Sequence, residues 1–236
     1  VMNENILEIK SLDGWDKKGS NILSELSFDL YKNEIVGLIG LNGAGKTTLI
    51  KILSGLLEGY KADSVCFDGK TVNFRDGRFK NQRYTVFSED SSFGYFTFRE
   101  YISYVFSAYG KKLGDVSELV RGFHFEEYEN KLLKDLSMGN RRKVNLITAF
   151  ALKAPMLFLD EPVNGLDFQS TEFLYSLISA YKEHGTLLFS SHILESITLT
   201  SDRVMVLENG RISRTFTGGE ITAESVRKVL KLDNVI

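Results

Sequence analysis

Apolar residues follow two rhythms along this chain. Near either end they gather in short runs, ILEIK, LSFDLY and EIVGLIG early and MLFLD, TLLFSSH and VMVLENGRI late. Runs of this length bounded by turn residues predict strands, with Lys32 and Asn33 turning the chain between the second and third. SVCFDGKTV and VMVLENGRI predict hairpins closed by Asp68-Gly69 and Asn209-Gly210, residue pairs that tolerate positive φ well. Elsewhere the apolar positions recur every three or four residues. In KTTLIKILSGLL, the residues Leu49, Ile50, Ile52, Leu53, Leu56 and Leu57 share helical spacing. Thr97-Phe98-Arg99-Glu100 matches a capping box, and Gly110 is placed to end the helix it starts. Further helices are expected over residues 116–123, along RRKVNLITAFALK as far as Ala154-Pro155, along QSTEFLYSLISAYKEHG, and over about 222–232. Continuous apolar strands alternating with helices imply a parallel sheet covered on both faces, and the early hairpins imply an added antiparallel sheet.

Composition narrows this little. The 236 residues, 43% hydrophobic and 25% charged, suit one large globular domain or two small ones. A net charge of -2 argues against nucleic acid as an obligate partner, although a local basic stripe is compatible with it. Cys66 has no partner for an internal disulfide, which suits a reducing cytosolic compartment, and it reads as a small apolar filler in a strand. No run of about 18 apolar residues is present, so no membrane-spanning helix is expected. The start, VMNENILEIK, has neither a charged beginning nor an apolar run, so no secretory signal is expected, and Val1 ahead of Met2 reads as a cloning remnant.

The chemistry begins where the third early strand meets a helix. Gly40-Leu41-Asn42-Gly43-Ala44-Gly45-Lys46-Thr47 fits the phosphate-loop spacing G-x-x-x-x-G-K-[ST]. Phosphate oxygens must approach the main chain closely, and a Cβ at Gly43 or Gly45 would stand in the way. The wrapped loop turns its N–H groups inward as an anion nest, to which the helix adds the positive end of its dipole. Lys46 then supplies a compact charge between β- and γ-phosphates, Thr47 a hydroxyl for Mg²⁺, and Thr48 a donor toward the α-phosphate. The competing reading is a strand–turn–helix junction that merely needs glycines. Downstream, MLFLDEP puts Asp160 and Glu161 at the carboxyl end of a buried strand, where ligands sit in such sheets. Asp160 is the expected metal residue, acting through water. Glu161 is the expected base that orients and deprotonates the attacking water. As a local alternative, the two carboxylates could cap a helix.

Taken in order, GLNGAGKTT, LSMGN, MLFLDEP, NGLD and SSH resemble the motif series of the ATP-binding-cassette (ABC) transporter nucleotide-binding subunits, and the resemblance covers nearly the whole chain. It implies an α/β fold of the P-loop NTPase type: a RecA-like mixed sheet with an antiparallel β-subdomain and a helical subdomain. The implied limits are residues 5–215 for the ATPase domain, about 90–153 for the helical subdomain, and 216–236 for a short helical tail. Ser137 and Gly139 resemble the signature residues that touch the γ-phosphate bound to the other subunit. Asp167 resembles the loop residue that crosses the dimer interface, His192 the switch histidine at the γ-phosphate, and Trp15 the aromatic that stacks on adenine. Glu89 stands at the position where the family has a glutamine near the metal, which brings extra charge toward the triphosphate. Met138, Asn140 and Phe168 also depart from the family pattern.

The same resemblance implies ATP and Mg²⁺, pairing with an identical or paralogous subunit when ATP binds, and a separate integral membrane permease that keeps the chain peripheral on the cytoplasmic face. With no sizeable stretch after Arg214, the reading leans toward an exporter-type system. The alternatives are a non-transport ABC-type ATPase and a slowly hydrolysing dimerisation module. Residues 93–109 carry eight aromatics, which serve either as subdomain core or as a groove for a short helix of the membrane partner. Arg141, Arg142 and Lys143 read as a solvated helix face.

Overall fold

The computed structural model describes residues 4–88 and 92–230. The early alternating strands, β1 (Asn5–Trp15) and β2 (Asn21–Tyr31), pair antiparallel and are joined by β4 (Tyr60–Lys61), β5 (Ser64–Phe67) and β6 (Lys70–Thr71) in one antiparallel sheet. The predicted Asp68-Gly69 turn closes the β5–β6 hairpin, both residues at positive φ. The second sheet is mixed and runs β11-β10-β3-β9-β8-β7. Its strands are β3 (Ile35–Ile39), β7 (Arg83–Val86), β8 (Met156–Asp160), β9 (Thr186–Ser191), β10 (Arg203–Glu208) and β11 (Arg211–Thr217). All its pairings are parallel except β10–β11, the hairpin turned at Asn209-Gly210.

β3, β8 and β9 are buried at every residue, the signature of a sheet covered on both faces. Their period-2 alternation divides two cores between those faces. Ile35, Ile39, Leu157, Leu159, Leu187 and Phe189 pack into one core with the helices α3 (Phe98–Ala108), α4 (Ser117–Gly122), α5 (Met138–Leu152) and α6 (Phe168–Ala180). Val36, Leu38, Met156, Phe158 and Leu188 pack into the other, with α1 (Lys46–Leu53) and the antiparallel sheet.

Several short elements escaped the hydrophobic pattern, β4 among them. β7 forms the sheet edge from RYTV, α2 (Gly77–Lys80) is a single capped turn, and α7 (Leu194–Thr200) follows β9 directly. All are too short to show a period. The helix after the glycine loop is also shorter than predicted: α1 stops at Leu53, so Leu56 and Leu57 lie beyond it. Gly55 at φ +73° turns the chain there, against the carbonyl of Phe74. The terminal α8 (Ala223–Val229) ends just before the described residues do. The capping box at Thr97 is formed, and Gly110 follows the helix end at φ +63°.

A buried ion pair braces the corner from which β3 departs. Arg203 clasps Glu34 through two bonds, Nε to Oε1 at 2.8 Å and Nη2 to Oε2 at 2.7 Å, and Nη2 also donates to the carbonyl of Asp29. Removing one partner of such a pair strands the other charge in low dielectric. Glu34→Ala is expected to lower the unfolding free energy by about 3–5 kcal/mol in urea titrations.

Candidate functional site

Parallel strands place their carboxyl ends side by side. Ile39 pairs with Ser191 and Asp160 with Ser190, so the segments leaving β3, β8 and β9 emerge together. The glycine loop leaves β3, the Asp160-Glu161 pair closes β8, and His192 follows β9.

The loop takes the conformation its glycines permit. Gly43 has φ +83° and Gly45 φ +107°, the left-handed region that a Cβ penalises. Gly45 caps α1 without a side-chain acceptor, and no acidic residue occupies the first turn. The helix therefore opens with its positive end and its first N–H groups uncovered. Gly40 is required for a different reason: a Cβ there would lie 2.3 Å from the carbonyl of Leu207 on β10. Asn42, Gly43, Ala44, Gly45, Lys46, Thr47 and Thr48 line a cavity of about 420 Å³ that Glu161, Asn164 and His192 complete. A larger cavity, about 820 Å³ between α4 and the ends of α5 and α6, contains none of the predicted residues. Size does not decide between them: charged side chains line both, but only the smaller one contains the glycine loop at the start of α1, with Lys46 and Glu161 facing each other across it.

Lys46 is buried, its Nζ 2.7 Å from the carbonyl of Gly40 and 3.4 Å from Glu161 Oε1. Asp160 is wholly buried and accepts three hydroxyl bonds. Thr47 Oγ1 lies 3.0 Å from both of its oxygens, Ser88 Oγ 3.1 Å from one, and Ser190 Oγ 2.8 Å from the other. Glu161 sits at φ +48°, a conformation that costs a non-glycine residue about 1–3 kcal/mol and persists only where its surroundings enforce it. Its amide donates to Ser190 Oγ at 3.0 Å, and its Oε2 lies 2.8 Å from His192 Nδ1. A lysine, a histidine and a glutamate thus form one chain of contacts along the cavity wall.

The signature residues stand apart from that cavity. Ser137 caps α5, its Oγ accepting from the amide of Asn140 at 3.2 Å. Its hydroxyl is exposed, and Met138 beside it is 68% exposed. Gly139 packs so closely that a Cβ would come within 2.3 Å of the carbonyl of Gly165, in the NGLD segment. Asp167 caps α6, accepting from the amide of Ser170 at 2.9 Å, and pairs with Lys143 Nζ at 2.6 Å. Partial burial pushes the Asp167 carboxyl upward, but the bonds from Lys143 and Ser170 outweigh it and hold the group well below the usual carboxylate range. Trp15 lies half-buried at the end of β1, paired with Asn21, and is not among the residues lining the cavity. Glu89 lies outside the described residues.

Two expectations about surfaces change. Arg142 and Lys143 are not a solvated face: both are buried, Lys143 on Asp167, and Arg142 on the carbonyls of Asp160, Glu161 and Ser88. Burial pulls the Arg142 guanidinium below the ordinary arginine value, with Asp160 and Glu161 acting the other way. The aromatic stretch divides. Phe98, Tyr101 and Phe106 are core, whereas Phe93, Tyr95 and Tyr104 are exposed, with Phe93 edge-on to Phe96 and tilted against Tyr104. Sequence reasoning missed Ser88 and Ser190. Ser190 had a signal, the first serine of the SSH run beside the histidine. Ser88 had none beyond its place ahead of Glu89.

A glycine loop between a parallel strand and a helix, facing two carboxylates at the carboxyl end of a strand one place removed in the same mixed sheet, defines a P-loop nucleoside triphosphatase. The ABC transporter family model matches residues 23–164. The ABC transporter ATP-binding protein AlbC of Bacillus subtilis (strain 168) is 35% identical over 224 residues, covering 92% of this chain and 94% of that protein. SkfE of the same organism, the SkfA peptide export ATP-binding protein, is 32% identical over 214 residues, covering 88% and 87%. A solved ATP binding subunit of an ABC transporter superposes with a TM-score of 0.81 at 29% identity, covering 98% and 95% of the two chains. The chain belongs to the ABC transporter family and is an ATP-binding subunit with ATPase activity. Among the described residues, no helix is long and apolar enough to cross a membrane.

Proposed function

We propose that this subunit hydrolyses Mg²⁺-bound ATP between two cassettes, identical or paralogous, and so drives a separate integral membrane permease of the exporter type. The observation that carries the reading is the meeting of Lys46, Thr47, Glu161 and His192, from three separate strand ends, on one cavity beside an uncapped helix start, with Asp160 buried behind Thr47. Phosphate oxygens fit against the amides of residues 43–48, with the Lys46 ammonium between them.

The residues present fit a hard divalent cation. A wholly buried Asp160 is surrounded by three hydroxyls that can re-aim, and one of them, Thr47 Oγ1 at 3.0 Å from both carboxylate oxygens, belongs to the phosphate loop. Among the described residues, no cluster of three or more His, Cys, Asp or Glu side chains offers a preformed cage, which suits a metal that arrives with the triphosphate. Thr47 and Asp160 would hold Mg²⁺, and Glu89 is the further candidate; the ion would neutralise charge on the β- and γ-phosphates. Glu161 takes the proton of the attacking water, and His192 holds that carboxylate by its ring nitrogen and faces the terminal phosphate.

Ser137 and Gly139 supply their hydroxyl and amide to the nucleotide of the other cassette, which accounts for their position outside the cavity of their own chain. Asp167 and the close-packed Gly165 carry the facing loop. Ser137→Arg is expected to leave Mg²⁺-ATP binding by the single chain unchanged in calorimetry and to abolish ATP-driven pairing on a sizing column. The exposed rings of Phe93, Tyr95 and Tyr104 offer an apolar seat for a helix of the permease. The export reading draws on SkfE, a peptide export ATP-binding protein. Co-purification of a polytopic membrane protein that stimulates ATP turnover tests the transport reading; capture of ribosomes or DNA instead would favour the non-transport alternative.

A further inference from the structure

The strained residue of the site is held by a side chain from another element. Glu161 has φ +48°, and the carbonyls on either side of its Cα, those of Asp160 and Glu161, both accept from Arg142 Nη1, at 3.2 and 3.4 Å. Nη2 of the same guanidinium donates to the carbonyl of Ser88, whose hydroxyl in turn donates to Asp160. Arg142 is buried, and a buried guanidinium whose planar fork meets three main-chain acceptors fixes all three relative to one another. It lies on α5, the helix that begins with Met138 after the Ser137 cap.

We propose that Arg142 is a positioning residue for Glu161: it holds the backbone of that residue in the left-handed conformation from which the carboxylate reaches Lys46 and His192, and thereby places the base from the signature helix. The inference rests on the reading of Glu161 as the base. Lysine at 142 keeps the charge but has a single nitrogen, which cannot hold the two carbonyls about Glu161 and that of Ser88 together as Nη1 and Nη2 do. Glutamine at 142 keeps one donor group and removes the charge.

The test uses the full chain with Mg²⁺-ATP, and each variant is first shown by calorimetry to bind nucleotide within about threefold of the unaltered chain; of Arg142→Lys and Arg142→Gln, whichever passes is taken forward. Its kcat is expected to fall by about 10- to 100-fold with KM little changed, as a misplacement of about 1 Å costs roughly 10²-fold. Added to Glu161→Gln, the same substitution is expected to lower the residual rate no further, because its effect runs through the missing carboxylate. A kcat within twofold of the unaltered chain overturns the proposal, and so does a loss that multiplies with that of Glu161→Gln, the mark of general damage. If Glu161→Gln alone turns over at full rate, the base reading falls, and this inference falls with it.

Discussion

Lys46→Ala is expected to weaken Mg²⁺-ATP binding by about 10- to 150-fold and to leave no measurable turnover. The lower figure is one charge-assisted hydrogen bond of roughly 1.5 kcal/mol and the upper about 3 kcal/mol. The geometry explains why so much depends on one side chain. Lys46 is buried at the start of α1, with its ammonium on the carbonyl of Gly40 and 3.4 Å from Glu161. Alanine would remove the only full positive charge that this loop contributes to the cavity and would leave Glu161 facing a triphosphate without the ammonium beside it. Like charges at such range in a partly dry site repel strongly. Calorimetry with and without Mg²⁺ measures the first effect and phosphate release the second. Undiminished nucleotide uptake by the variant would show that the cavity beside α1 is not the nucleotide site.

The second large effect belongs to Glu161→Gln. Turnover should fall about 10²- to 10⁴-fold, the range in which a positioned general base contributes. The amide is nearly isosteric and can still accept from His192, so binding should persist. In the proposed pairing, ATP that is bound but not cleaved would hold the two cassettes together through contacts made by Ser137 and Gly139. At saturating ATP the variant should elute as a pair on a sizing column and as single chains with ADP. Several interactions made only with the γ-phosphate are enough to switch such an equilibrium. A variant that remains single at saturating ATP would count against pairing as the working state, and one that hydrolyses at full rate against Glu161 as the base.

How much of this could be read before any fold was known divides along a physical line. The loop from Gly40 to Thr47, the Thr97 capping box and the hairpin turns at Asp68-Gly69 and Asn209-Gly210 are each settled by a few consecutive residues. Backbone conformation and caps depend on φ preference and on donors within a turn. The apolar strands were legible for a related reason: a run with no polar face predicts burial on both sides, as in β3, β8 and β9. Short segments such as β7 and α7 left no period to detect.

What only the tertiary structure decided concerns residues whose partners lie far off in sequence. Arg142 looked like part of a solvated basic face, yet its acceptors are 18, 19 and 54 residues away. Lys143 reaches Asp167 across 24 residues, and the hydroxyls of Thr47, Ser88 and Ser190 gather on Asp160 from 113, 72 and 30. The sequence by itself determined the phosphate loop, the carboxylate pair and the family to which they point, because those are written in local spacing. The structure decided which charges are buried, which hydroxyls surround Asp160 and what holds Glu161 in its strained backbone. Burial and long-range hydrogen bonding are properties of the packed chain, and no stretch of it carries them alone.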